Sequence, residues 1–238
     1  MSVLNAELAA QAIRYARLDQ PDPRALNFSY ADEDQMLDRS QPLAYLNSGA
    51  SGLRNVMLGI QLADVVSTAR IIDFGCGHGR VMRWLRAAFP NSDIVGTDLS
   101  EGSVDFCAKT FGAIPVLSPI DFTAFPQVDP ADIVWSGSVI THLKECAAET
   151  YLELVVRLLR PHGVAIFSTH GRESVRWILE RGFNYIQGQS QEPMLRGYYS
   201  LGYGFASYKD TPDYGVSLIH PRWFLDLRAQ RRSSCLLL

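Results

Sequence analysis

Residues 71–80, IIDFGCGHGR, constrain this 238-residue chain more than any other stretch. Ile71 and Ile72 read as the end of a buried strand, and Gly75, Gly77 and Gly79 let the backbone turn tightly. Residues 81–89 follow with Val81, Trp84, Leu85 and Ala88 at helical spacing. A strand joined to a helix through glycines is where an open α/β sheet binds a nucleotide-like ligand. The dinucleotide fingerprint G-x-G-x-x-G needs a third glycine where helix meets strand, and Arg80 stands there instead. Asp73, just ahead of the glycines, would repel a pyrophosphate and attract a cation.

The same rhythm continues along the chain. Strands are expected at residues 70–74, 93–97 with Asp98 closing the strand, 114–117, 132–135 and 164–168. Between and after them run helices capped by Ser100 toward Phe111, over 145–159 with Leu152, Val155, Val156 and Leu159 inward, and over 173–180 ending at Gly182. Ahead of the first strand, Ser51 is expected to cap a helix through Leu53, Val56, Met57, Ile60 and Ala63. Repeated βα units predict a doubly wound, mostly parallel, Rossmann-like sheet with helices on both faces. Residues 1–50, broken by Pro21, Pro23 and Pro42, are expected to form a helical cap on a single domain of residues 51–238.

Charge and cysteine usage narrow the class. Lys and Arg number 22 against 25 Asp and Glu, and Arg231 with Arg232 is the only basic pair that stands out, so the electrostatic footprint of a nucleic-acid binder is missing. Cys76, Cys107, Cys146 and Cys235 lack C-x-x-C spacing, which argues against zinc and against a disulfide framework. The carboxylates are dispersed, and no metal is expected. Without a signal-like start or a long apolar run, the expectation is a cytoplasmic protein with no membrane span.

With Asp73 and GCGxG in hand, the glycine segment resembles motif I of the class I S-adenosylmethionine (SAM)-dependent methyltransferases, whose cofactor carries an ammonium and a sulfonium. The resemblance continues in order. Asp98 stands where an acidic side chain accepts the ribose hydroxyls. LSPIDFTAF, residues 117–125, occupies the place of the adenine-contacting motif, with Ser118 or Asp121 facing the amino group and Ile120 on the ring. ADIVWSGSVITHL, residues 131–143, is similar to the SVxTHL form found in small-molecule and carbohydrate-pathway members. YLELVVRLLRPHG departs from its family pattern by one residue at Glu153 and by His162 in place of a turn glycine. The resemblance implies cofactor contacts at Asp73, Gly75, Cys76, Gly77, Gly79, Asp98, Leu99, Ser118, Ile120, Asp121 and Ser136. It also implies methyl transfer to oxygen of a small molecule or saccharide.

Two histidines fall just past strand ends at the ligand-binding edge: His142 and His170. A neutral imidazole is the usual base for a hydroxyl, and His142 is the first candidate, His170 the second; a backbone-anchoring role is the alternative for each. Tyr198, Tyr199, Tyr203, Phe205, Tyr208 and Tyr214 are available to line an acceptor site, with about half expected in the core. A last helix is expected over residues 221–229, leaving only a tail in which the family's final strand would be short or missing. That shortening motivates a rival reading as a non-catalytic SAM-fold scaffold; a NAD-dependent oxidoreductase is a weaker rival.

Overall fold

In a computed structural model, which describes residues 3–231, the chain forms two compact units. The first contains residues 1–137 and 157–166; the second contains residues 138–156 and 167–238.

The first unit begins with α1 (Ala6–Ala16), whose N-cap Asn5 accepts from the Leu8 amide at 3.0 Å and whose Ala9, Ala12 and Ala16 are buried. Small side chains at three- and four-residue spacing let a second helix approach closely. That helix is α2 (Pro42–Leu62). It starts at Pro42, so Ser51 lies mid-helix and caps nothing: a proline's fixed φ suits the first helical position, where its missing N–H is not needed. A Cβ on Gly49 would come within 2.4 Å of the Arg80 carbonyl, so only glycine permits this approach of α2 to the start of the next helix.

The sheet follows the expected pattern. β1 (Arg70–Phe74), α3 (Met82–Ala88), β2 (Asp93–Asp98), α4 (Glu101–Phe111), β3 (Ile114–Leu117), β4 (Ala131–Ser136), α5 (Glu145–Leu158) and β5 (Leu159–Phe167) give the order β3-β2-β1-β4-β5, with β1 parallel to β2 and β4, and β2 parallel to β3. This is a doubly wound Rossmann-like sheet whose order reverses between β1 and β4, the switch point at which such sheets open a crevice. Ser100 caps α4, its Oγ accepting from the Ser103 amide. His162 takes a left-handed φ of 66°, the conformation that the replaced glycine would adopt freely. On α5 the buried residues are Ala148, Tyr151, Leu154, Val155 and Leu158, while Val156 is exposed; the true stripe is set one position from the expected Leu152, Val155, Val156 and Leu159.

Arg83, on the face of α3 that its helical pattern marks as polar, is buried. Its guanidinium donates to the Asn27 and Ser29 carbonyls at 2.7 and 3.0 Å and to the Tyr45 hydroxyl at 3.3 Å, and lies over the Tyr45 and Phe111 rings. Tyr45 in turn donates to the buried Asp34 carboxylate at 2.7 Å. Residues 27–45 are thereby tied to α3 by a hydrogen-bonded cation, the arrangement that makes burial of a charge tolerable.

The second unit contains α6 (Arg172–Arg181), α7 (Glu192–Leu201), an antiparallel hairpin of β6 (Tyr203–Tyr208) and β7 (Thr211–Ile219), and α8 (Pro221–Arg231). Gly182 ends α6 at φ 62°, as expected. α7 and β7 were not legible in the sequence, whose aromatic and glycine-rich run lacks a clean period. The expected strand fragment at residues 234–238 lies outside the described residues.

Candidate functional site

In the first unit, the C-terminal ends of the central strands hold three polar side chains that find no partner among the described residues: Asp73 Oδ2 on β1, Thr97 Oγ1 on β2 and Ser136 Oγ on β4. All three residues are buried. Asp73 is in register with Gly96 and Trp135, so the orphaned atoms flank the switch point. Buried polar groups are normally satisfied, and three unsatisfied ones at one sheet edge mark a place built for a ligand. Burial, with the Asp98 charge adding to it and Arg80 opposing, pushes the Asp73 carboxyl up to about 7. Two nearby carboxylates at a desolvated edge favour a cation.

The glycine loop wraps this edge. The Gly75 and Cys76 amides donate to the Thr97 carbonyl at 2.7 and 2.9 Å, and the Gly77 amide donates to Asp98 Oδ2 at 2.9 Å. Asp98 Oδ1 accepts from the Ser100 amide at 3.0 Å, so this carboxylate both caps the turn into α4 and clamps the loop. The ribose contact expected of Asp98 is compatible with this capping role, since each oxygen retains a lone pair. Gly77 has φ +50°, and a Cβ there would meet nothing within 4 Å; Gly79 has φ +80°, and a Cβ there would lie 2.2 Å from the Phe111 ring. One glycine leaves open space and the other permits packing. Cys76 is buried and hydrogen-bonded with Cys107, whose thiol donates to the Gly77 carbonyl at 3.3 Å.

Among the remaining candidates, Leu99, just past β2, and Ile120, beyond β3, are exposed at 58% and 87%. Ser118 is buried, its hydroxyl donating to the Pro119 carbonyl at 3.2 Å. Asp121 Oδ1 accepts from the Thr123 amide and hydroxyl at 2.9 and 2.7 Å, and these bonds hold its carboxyl below the usual range. Its Oδ2 makes no hydrogen bond among the described residues and remains available to a ligand, so the expected alternatives Ser118 and Asp121 both stay open.

In the second unit, His142 ends a short 3-10 turn, Ile140–His142. Its Nδ1 lies 2.8 Å from the Gly215 carbonyl of β7. A carbonyl only accepts, so Nδ1 carries the proton and the neutral ring presents Nε2 as a lone pair. Tyr214 stacks on the imidazole at 5.0 Å and Tyr208 sits at 6.1 Å. The hairpin also holds the turn itself: Ser217 donates to the Ile140 carbonyl at 2.9 Å and Tyr203 to the Leu143 carbonyl at 2.7 Å. His170, between β5 and α6, is tied to the same hairpin, its carbonyl accepting from the Ile219 amide at 2.8 Å, and its ring lies against Tyr185 at 4.7 Å. Burial lowers its pKa, with the neighbouring His142 acting the same way. Of the six aromatics, Tyr198 and Tyr203 are buried and Tyr208 and Tyr214 surround His142.

Residues 71–163 match the family model described as a methyltransferase domain. A trans-aconitate 2-methyltransferase of Azoarcus sp. is 27% identical over 53% of this chain and 48% of its own length. A malonyl-[acyl-carrier protein] O-methyltransferase of Porphyromonas gingivalis is 24% identical over 75% of this chain and 71% of its own. The chain thus spans about half the length of the first of these relatives. A solved S-adenosylmethionine-dependent methyltransferase from Clostridium acetobutylicum is 14% identical with a TM-score of 0.47, over 73% of this chain and 76% of that one. Among the described residues, no helix is long and apolar enough to cross a membrane. The glycine loop and the acidic ends of β1 and β2 fall within residues 71–163, the stretch that matches the methyltransferase-domain model.

Proposed function

We propose that the protein transfers the methyl group of SAM to an oxygen of a small molecule or saccharide. The observation that carries this reading is the set of unpartnered atoms on Asp73, Thr97 and Ser136, with the Asp98 carboxylate acting on Asp73. That set fits an ammonium-bearing ligand, and the open space at Gly77 fits its close approach to the backbone. Asp73 would hold the ammonium, Asp98 the ribose hydroxyls, and exposed Leu99 and Ile120 the adenine faces; Gly75, Cys76, Gly77 and Gly79 shape the loop, and Ser118 and Ser136 complete the polar edge.

When bound, SAM supplies a methyl group already activated on sulfonium. The protein's part is to align an acceptor and remove its proton, and alignment alone can contribute about 7 to 11 kcal/mol in favourable cases. His142 is the proposed base, because its Nδ1–H is committed to Gly215 and its Nε2 is left to accept. Tyr208 and Tyr214 would stack on the acceptor ring. Free thiols at Cys76, Cys107 and Cys146 support a reducing, cytoplasmic setting.

The test is incubation of the full chain with methyl-labelled SAM and fractionated small-molecule extract. Label in an ether- or ester-linked O-methyl product supports the reading. Label in a thioether, an amine or no product at all overturns it.

A further inference from the structure

The second unit holds an open depression of about 320 Å³ that shares no residue with the cofactor edge or with the His142 cluster. It lies among α6, α7 and His220, the residue that follows β7, and its volume is near the small end of the roughly 300 to 1,000 Å³ usual for small-ligand pockets. Its wall has two characters. Val175, Leu179 and Tyr199 give it an apolar side, and Leu179 and Tyr199 are exposed at 60% and 58%.

The other side is a set of donors without acceptors. Tyr198 is 2% exposed, and its hydroxyl has no partner among the described residues. Arg172 lines the same pocket, and its charge opposes the rise that burial and Tyr199 impose on the Tyr198 pKa. Arg172 makes no ion pair or hydrogen bond among the described residues, unlike Arg176 on the next turn, which is paired with Glu173 at 2.6 Å and Glu180 at 3.9 Å. His220 stands edge-on to Tyr198 at 5.2 Å. Its Nδ1 accepts from the Arg222 amide at 3.1 Å, which places the proton of the neutral ring on Nε2 and makes that atom a third donor. Glu180, the pocket's carboxylate, is already engaged by Arg176 and does not neutralise Arg172.

We infer that this pocket binds a small organic carboxylate, with the anion met by Arg172, Tyr198 and His220 and the apolar body lying on Val175, Leu179 and Tyr199. A guanidinium offers a planar fork that suits a carboxylate, and a buried phenol without a partner gains a hydrogen bond it otherwise lacks. The chemistry excludes a cation and gives a neutral isostere no advantage. This site is separate from the proposed methyl transfer, and the two can fail independently.

The test is titration of the full chain with benzoate and with benzamide, followed by calorimetry and by chemical shifts of labelled tyrosine. Saturable benzoate binding that shifts Tyr198, with benzamide at least about tenfold weaker, is the expected result. Arg172→Met, at an exposed position, should weaken benzoate by about tenfold or more, and Tyr198→Phe by a smaller factor, with SAM affinity unchanged in both. Equal binding of the two probes, benzoate binding indifferent to Arg172→Met, or no saturable binding of benzoate overturns the proposal.

Discussion

His142 Nδ1 lies 2.8 Å from the carbonyl oxygen of Gly215, a residue 73 positions further along the chain. That single bond decides the tautomer and so decides which nitrogen is available as a base. The same contact also anchors the turn, so the anchoring and basic roles for this histidine are compatible.

They are separable by substitution. General-base help is typically worth about 100-fold to 10,000-fold, so His142→Ala should lower turnover by at least about 100-fold with SAM affinity nearly unchanged. His142→Gln can still donate to Gly215 but cannot take a proton. Turnover near normal in the Gln variant would assign His142 to anchoring and move the base to His170.

Asp73 predicts a pH dependence with a definite sign. Its carboxyl is pushed up to about 7, from an unfolded value near 3.9. A raised carboxyl contributes stability below about pH 4 and loses it as pH rises through about 7, while a bound ammonium favours the ionised form. SAM affinity measured by calorimetry should therefore climb by up to about tenfold per unit toward pH 7 and level off above it. Asp73→Asn should bind more weakly and without that slope; a sloped profile in this variant would remove Asp73 from the site.

Asp98→Ala removes the acceptor of the Gly77 and Ser100 amides along with the proposed ribose contact. Loss of hydrogen bonds to a charged acceptor should weaken SAM binding by about 1.5 to 3 kcal/mol. Unchanged affinity would sink the assignment.

The two central glycines should fail differently. Gly79→Ala drives a Cβ to 2.2 Å from the Phe111 ring and should lower the melting temperature by several degrees. Gly77→Ala meets no protein atom within 4 Å and carries only the left-handed strain of about 1 to 2 kcal/mol, so its defect should be mainly in SAM binding. Equal melting temperatures with equal binding losses would contradict this division.

Arg83→Met should destabilise the first unit by about 3 kcal/mol, because the Asn27 and Ser29 carbonyls lose a charged donor. Chemical denaturation measures it, and a change below about 0.5 kcal/mol would mean that water replaces the guanidinium.

Much of this protein is determined locally. Strand periodicity, the glycines of residues 75–79, the Ser100 cap and the Gly182 stop depend on neighbours within a few residues, and each was legible in the sequence. The candidate cofactor residues were legible for the same reason: they sit at strand ends, where an α/β sheet presents its ligand edge. Other features depend on residues far apart in sequence. Arg83 reads as a polar helix position until residues 27–45 close over it, and the stripe of α5 is set by its tertiary surroundings. Asp121 reads as a free acceptor until its own turn consumes one oxygen. The lone pair of His142 is decided by Gly215 on β7, the strand of the hairpin that no periodicity announced. Propensity and motif spacing act over a few residues, whereas burial, tautomer and unpaired charge are fixed only when distant segments of the chain come into contact.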